Sequence, residues 1–313
     1  MKAVLQYRAS PGFAAIIEAA RGAVPVAIVD EDDAAGFTCE IADAQVLLHV
    51  LKPVTAAMMD AGPDLKLIQK IGVGVNTIDL DAARARGIAV CNMPGTNSQA
   101  VAELTLGLML GALRQLAYLD PLTRAGQGWH PDAALIDRVG EIGGRTVGFL
   151  GYGAIPQLLA PALIALGARV IYTARSPKPD APGEAVPLAE LLAQSDILSL
   201  HAPLTAETQR IIDGPALAAM KQGAVLVNTA RGGLVDEAAL HAALVSGHLG
   251  AAGLDVFDAE PAHADNPLFA LPNVLVTPHV AWITQETLRR SMVVAFENVR
   301  RIAAGEDLLH RVA

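Results

Sequence analysis

Three polar side chains stand just past apolar runs in the second half of the chain. Arg231 closes Val227-Asn228-Thr229-Ala230-Arg231, and Gly232-Gly233 follow it. Asp255 ends the run Ala251-Ala252-Gly253-Leu254, with Glu260 in the loop beyond, and His279 follows Thr277-Pro278. A guanidinium can hold a carboxylate through paired hydrogen bonds, and an imidazole beside a carboxylate can pass a proton near neutral pH. Upstream, Gly151-Tyr152-Gly153 follows directly on the apolar run 146–150. The first glycine permits a tight turn, the second lets backbone approach a pyrophosphate, and the helix expected at Ala154 and Ile155 offers free N–H groups. In a parallel sheet these segments share one edge. An arginine, a carboxylate and an imidazole around a nicotinamide suit hydride addition to a ketone, with a proton going to its oxygen and a cation holding a neighbouring carboxylate.

The elements that must position these groups are legible in turn. Residues 146–150, a helix over about 155–166 stopped by Gly167, and a strand over 169–173 form a βαβ unit of about 30 residues. Its glycine fingerprint departs at the third position, where Pro156 stands; proline is tolerated in a first helical turn. The second strand runs into Tyr172-Thr173-Ala174-Arg175-Ser176, without the acid that usually binds a ribose 2′-hydroxyl. Arg175 and Ser176, with Lys178 nearby, suit a 2′-phosphate, so NADP is expected over NAD.

Residues 1–96 alternate strands (3–7, 24–30, 46–50, 67–72, 89–92) with helices (11–20, 54–61, 79–86). A glycine-bearing loop, Gly72-Val73-Gly74-Val75-Asn76, reads equally as a small-anion site or a plain turn. His49 and Lys52 end a strand there. Asn97 or Ser98 caps a long helix to about 119, apolar nearly all round, which fits packing between domains or against a second subunit. After the βαβ unit, strands are expected at 196–200, 224–228, 251–256 and 274–277. Their helices begin near 188, 205, 215, 236 and 266, and a last helix and tail fill 284–313. The fold class is therefore α/β: two Rossmann-like domains, each a mostly parallel sheet flanked by helices, with a cleft between them. Residues 1–97 and 285–313 form the substrate-binding domain, flavodoxin-like in type, and 98–284 the dinucleotide-binding domain.

Composition narrows the classes. The net charge over 313 residues is −9, which argues against non-specific nucleic-acid binding. No apolar run reaches the roughly 18 residues that span a bilayer. The first residues read as a strand, not a signal peptide, and Cys39 and Cys91 form no motif, so a cytoplasmic protein with reduced thiols is expected. No histidine, whether His130, His241, His248, His263 or His310, has ligand spacing to a second metal-binding residue, so no metal site is expected.

Taken together, the glycine fingerprint, Asn228-Thr229-Ala230-Arg231-Gly232-Gly233, Gly253-Leu254-Asp255-Val256-Phe257, Thr277-Pro278-His279 and the loop from Gly72 to Asp79 resemble the D-isomer-specific 2-hydroxyacid dehydrogenases over nearly the whole chain. The resemblance implies His279 as proton donor in reduction, Glu260 as its paired carboxylate, and Arg231 as the group that binds the substrate carboxylate, helped by the amides of Val73 and Gly74. It implies Asp255 on the nicotinamide carboxamide, His201-Ala202-Pro203 on the adenosine side and Thr229-Ala230 on the nicotinamide side. Tyr172-Thr173-Ala174-Arg175 is similar to the NADP-dependent glyoxylate/hydroxypyruvate reductases of that family. Trp282 resembles their glycerate or hydroxypyruvate branch, where an indole restricts the space for substrate; a packing residue is the alternative. The expectation is a homodimeric NADPH-dependent reductase of glyoxylate or hydroxypyruvate. The alternatives are an NAD-dependent enzyme for lactate or a sugar acid, or a non-catalytic dinucleotide-sensing binding protein.

Overall fold

Short strands, most of them buried and rich in aliphatic residues, build two separate parallel sheets. The computed structural model describes residues 1–129, 132–176, 178 and 180–313, so His130 lies outside the described residues. The chain divides into two units, Met1–Asn97 with Trp282–Ala313, and Ser98–Ala281.

In the first unit the strands are β1 (Ala3–Gln6), β2 (Val26–Val29), β3 (Val46–His49), β4 (Leu67–Lys70) and β5 (Ala89–Cys91), in the order β2-β1-β3-β4-β5. All pair in parallel, and Ala3 sits opposite both Val26 and Val46. Helices α1 (Pro11–Ala20), α2 (Ala34–Ile41), α3 (Ala56–Asp60) and α4 (Leu80–Ala85) join them. Ser10, Asp33, Thr55 and Asp79 cap these helices through side-chain oxygens, satisfying N–H groups that lack intrahelical partners. Alternate strand residues face opposite layers. Leu5, Leu48 and Leu67 pack with Phe13 and Ile17, while Val4, Leu47 and Ile68 pack with Phe37 and Ile41. Burial on both faces explains why β1 and β3 are apolar up to their last residues, Gln6 and His49.

The second unit opens with α5 (Ser98–Leu113), α6 (Leu116–Arg124) and α7 (Leu135–Arg138). It continues through β6 (Thr146–Leu150), α8 (Ala154–Ala165), β7 (Arg169–Thr173), β8 (Glu184–Ala185), α9 (Leu188–Gln194), β9 (Ile197–Leu200) and α10 (Gly214–Ala219). It ends with β10 (Ala224–Asn228), α11 (Glu237–Val245), β11 (Leu249–Leu254) and β12 (Val274–Val276). The parallel sheet runs β12-β11-β10-β9-β6-β7-β8. Strand order reverses between β6 and β9, which opens a crevice at their carboxyl ends, the usual ligand position in such sheets. The chain then returns to the first unit as α12 (Gln285–Ala304), capped by Thr284. Asn298 of α12 donates from Nδ2 to Gln69 Oε1 at 2.7 Å inside that unit.

Two expectations differ from what is observed. The helix expected to reach 119 stops at Leu113, where Gln115 adopts a left-handed backbone (φ 52°) and α6 leaves at 69° to α5. Such a conformation costs about 1 kcal/mol and no residue type here signals it, so only the surrounding packing can fix it. The helix expected at 205 is a set of turns. Thr208 Oγ1 donates to Pro203 O and accepts from the Thr205 N–H, at 2.7 and 2.8 Å, diverting backbone groups a helix would use. Among the described residues no single helix is long and apolar enough to cross a membrane.

Candidate active site

The turn after β6 is shaped for a bulky anion. Gly151 has φ 94°, and its N–H donates to Thr173 O at 2.8 Å. A Cβ there would lie 2.8 Å from the backbone of His201 and Ala202, so no side chain fits. A Cβ on Gly153 would instead meet open space. Gly153 caps α8 without a side-chain hydrogen bond, leaving the first-turn N–H groups of Ala154 and Ile155 for a ligand at the positive end of the helix. Pro156 is buried in that turn, where its missing N–H costs little. Across the crevice, His201 Nε2 meets Ser199 Oγ at 2.9 Å and its Nδ1 is enclosed without a partner. Burial pushes this imidazole down to about 3, so it is neutral at physiological pH.

At the end of β7, Tyr172, Ala174, Arg175, Ser176, Ala185 and Val186 line a hollow of about 370 Å³. Arg175 and Ser176 are exposed on its rim. The Tyr152 hydroxyl donates to Pro182 O at 2.9 Å and the Tyr172 hydroxyl to Lys178 O at 3.2 Å, tying the following loop down. Sequence reasoning missed Glu207. Its carboxyl is held below the usual range, first by a hydrogen bond from Thr205 and in smaller part by the charge of Arg175. Arg175 and Glu207 therefore lie within one another's field.

The ionisable cluster collects at the ends of β10, β11 and β12. Gly232 makes this possible, because a Cβ there would lie 1.9 Å from the Phe257 carbonyl carbon. The Arg231 turn thus rests directly on the segment that leads to Glu260. His279 Nδ1 lies 2.6 Å from Glu260 Oε2. A carboxylate only accepts, so Nδ1 carries the proton and Nε2 is left for exchange with a ligand. Glu260 Oε1 accepts the Phe257 N–H at 3.0 Å. Burial raises the Glu260 carboxyl, but the His279 hydrogen bond and charge, the Phe257 amide and the Arg231 charge outweigh it, and the group is held below the ordinary glutamate value. Arg231 is half-buried and donates to Ala230 O at 2.6 Å. Its burial lowers the guanidinium pKa against the opposing field of Glu260, and it stays charged at neutral pH.

Asp255 is fully buried beneath His279. Its oxygens accept from Thr277 Oγ1 (2.5 Å), Val280 N (2.9 Å) and Ala281 N (3.0 Å), while its backbone carbonyl accepts the His279 N–H at 2.7 Å. Three of about four lone-pair sites are thereby used, leaving one for an amide donor. This anchor holds His279 in its left-handed backbone (φ 54°). Thr229 is positioned by a second missed residue, Thr105 of α5, whose buried hydroxyl lies 2.8 Å from the Thr229 hydroxyl.

Val73, Gly74 and Trp282 belong to the first unit. Val73 is exposed and its carbonyl accepts Asn92 Nδ2 at 2.9 Å. Trp282 is 8% exposed and packs in that unit's core, its ring 6.2 Å from Tyr7. His49 is buried, its Nε2 2.8 Å from Lys52 O, and the Lys52 ammonium donates to Glu31 O. Among the described residues no group of three or more His, Cys, Asp or Glu could hold a metal ion.

Residues 106–281 match the family model for the NAD-binding domain of D-isomer specific 2-hydroxyacid dehydrogenases. The chain is 42% identical over 288 residues to a D-3-phosphoglycerate dehydrogenase of Mycobacterium leprae, covering 90% of this chain and 54% of that protein. It thus spans about half the length of the phosphoglycerate dehydrogenases it matches. It is also 42% identical over 252 residues to a hydroxypyruvate reductase of Thermotoga maritima, covering 80% of each. Among solved structures, the TT0316 protein of Thermus thermophilus superimposes with TM-score 0.89 at 38% identity over all of both chains.

Proposed function

The chain belongs to the D-isomer specific 2-hydroxyacid dehydrogenase family, and from that premise we propose that it reduces a small 2-keto acid, glyoxylate or hydroxypyruvate, to the D-2-hydroxy acid with NADPH. The observation that carries this reading is the 2.6 Å His279–Glu260 pair, with Glu260 within the field of Arg231. Arg231 binds the substrate carboxylate and so orients the carbonyl. Glu260 fixes the tautomer of His279, whose Nε2 delivers a proton to the carbonyl oxygen. The bound dinucleotide supplies the hydride. Gly151, Tyr152, Gly153, Ala154 and Ile155 cradle its pyrophosphate, a fit supported by the excluded Cβ at Gly151 and the open side of Gly153. His201, Ala202 and Pro203 line its adenosine side, and Thr229, Ala230 and Asp255 its nicotinamide side. Arg175 and Ser176 favour the 2′-phosphate. Trp282, buried beside Tyr7 in the core of the first unit, is read as a packing residue.

We also assign the protein to homodimers, on the exposed apolar side chains Leu110, Leu116, Trp129 and Ile136 of the second unit. The similarity to phosphoglycerate dehydrogenases favours a second reading, in which the acid carries a phosphate. One assay separates these readings: NADPH or NADH oxidation with glyoxylate, hydroxypyruvate, pyruvate and 3-phosphohydroxypyruvate. The proposal expects the highest kcat/KM with NADPH and an unphosphorylated two- or three-carbon keto acid. A preference for the phosphorylated acid supports the second reading. Dinucleotide binding with no turnover of any keto acid makes the chain a binding protein and refutes both.

A further inference from the structure

Glu260 sits on an exposed loop, residues 258–266, yet its carboxylate must meet His279 within a hydrogen bond. Apolar packing holds the loop at its ends, through Phe257 and the fully buried Leu268, and in between only at the half-buried Ala262. Between α11 and the loop lies a hollow of about 440 Å³, lined in part by Glu237, Ala262, His263 and Asn266, so packing does not fix the loop on that side. Glu237 spans it. Its Oε1 accepts the Asp258 N–H at 2.6 Å and its Oε2 accepts Asn266 Nδ2 at 3.1 Å, tying both ends of the loop to the first turn of α11. Capping α11 is not its task, because the neighbouring Asp236 already accepts the Ala239 N–H at 3.0 Å. A further charged tie, Arg210 to Asp258 at 3.7 Å, lies between exposed side chains and holds little.

We propose that Glu237 is a positioning residue that acts through Glu260. It clamps the 258–266 loop so that the Glu260 carboxylate is presented to His279. The chain of contacts is short: Glu237 Oε1 holds the Asp258 amide, and the adjacent Phe257 amide donates to Glu260 Oε1 at 3.0 Å. Without Glu237 the loop can relax into the hollow, and Glu260 turns from His279. Glu237→Gln keeps an acceptor for the Asp258 amide but sets a donor against Asn266 Nδ2. Asn266 cannot simply rotate, because its Oδ1 accepts the Leu268 N–H at 3.0 Å. The glutamine variant therefore loses one tie and an alanine variant both.

The inference rests on the reading of Glu260 and His279 as the proton-transfer pair, and its test keeps the two apart. Wild type, Glu237→Ala, Glu237→Gln and Glu260→Ala are compared in the full chain for kcat and KM with NADPH and glyoxylate, and for amide hydrogen exchange across 256–262. The expected result for Glu237→Ala is a kcat lowered about ten- to a hundredfold, the scale of an ångström-sized misplacement, with KM for NADPH unchanged and faster exchange at 257–260. Glu237→Gln recovers most of the loss. An unchanged kcat in Glu237→Ala, beside an inactive Glu260→Ala, overturns the positioning role and leaves the proposed reaction standing. If Glu260→Ala itself keeps wild-type kcat, the proposed reaction fails. The clamp is then judged on exchange alone, and unaltered exchange at Asp258 overturns it.

Discussion

Replacing His49 by glutamine should remove most of the acid sensitivity of the first unit. The side chain is 3% exposed, and burial, aided by the charge of Lys70, pushes its imidazole from 6.5 down to about 3. The folded state therefore holds it neutral, while the unfolded chain protonates it below 6.5. This folded pKa is depressed on a base, so the unfolded state binds the extra proton. The penalty is nearly absent above pH 6.5 and grows as pH falls from 6.5 towards 3. Integrated from pH 7 to pH 5, one such histidine costs about 2 kcal/mol. Urea unfolding followed by tryptophan fluorescence reads this unit selectively, because Trp282 is buried in its core while Trp129, in the other unit, is already 82% exposed. The wild type should lose about 2 kcal/mol more than His49→Gln between the two pH values. Equal losses in both proteins would refute the reasoning, whatever the glutamine costs at pH 7.

The other predictions concern the second unit. Asp255→Asn sets an amide donor against a backbone N–H and should cost about 2 kcal/mol, lowering Tm by roughly 4–8 °C in calorimetry; a shift under 1 °C would show that the buried carboxylate is not the anchor. Arg175→Asp should move the preference for NADPH over NADH towards NADH, read as a ratio of kcat/KM values; an unmoved ratio removes Arg175 from cofactor choice. Arg231→Ala should raise KM for the keto acid and lower kcat together, because affinity and orientation are lost at once, and steady-state kinetics with both values unchanged would exclude it from the site.

Local chemistry made much of this legible in the sequence. The β6–α8–β7 unit could be read because its glycines, apolar runs and helix stop lie within 30 residues and each has a local cause. Arg231 and His279 were readable as residues just past apolar strands, Glu260 as an acid in the loop beyond whose role the family resemblance supplied, and the structure brings the three together at the ends of β10, β11 and β12. What escaped depends on distant parts of the chain. The bend at Gln115 is set by packing on both sides of α5. α2 is the exception, because its start carries a local signal, the Asp33 side chain accepting the Gly36 N–H, which the apolar pattern alone does not reveal. β8 is two residues long and exists only through pairing with β7. Glu237 looks like an ordinary first-turn acid, and its partners stand 21 and 29 residues away.

In the proposed reaction His279, held by Glu260, delivers the proton while NADPH is oxidised. The most direct test of this step is the single-turnover rate of NADPH oxidation at saturating glyoxylate for wild type and His279→Gln, with dinucleotide affinity measured in parallel. The expected rate for His279→Gln is about 10²- to 10⁴-fold lower at unchanged NADPH affinity. A glutamine variant that turns over within about threefold of wild type, far short of what a lost general acid removes, would contradict that step.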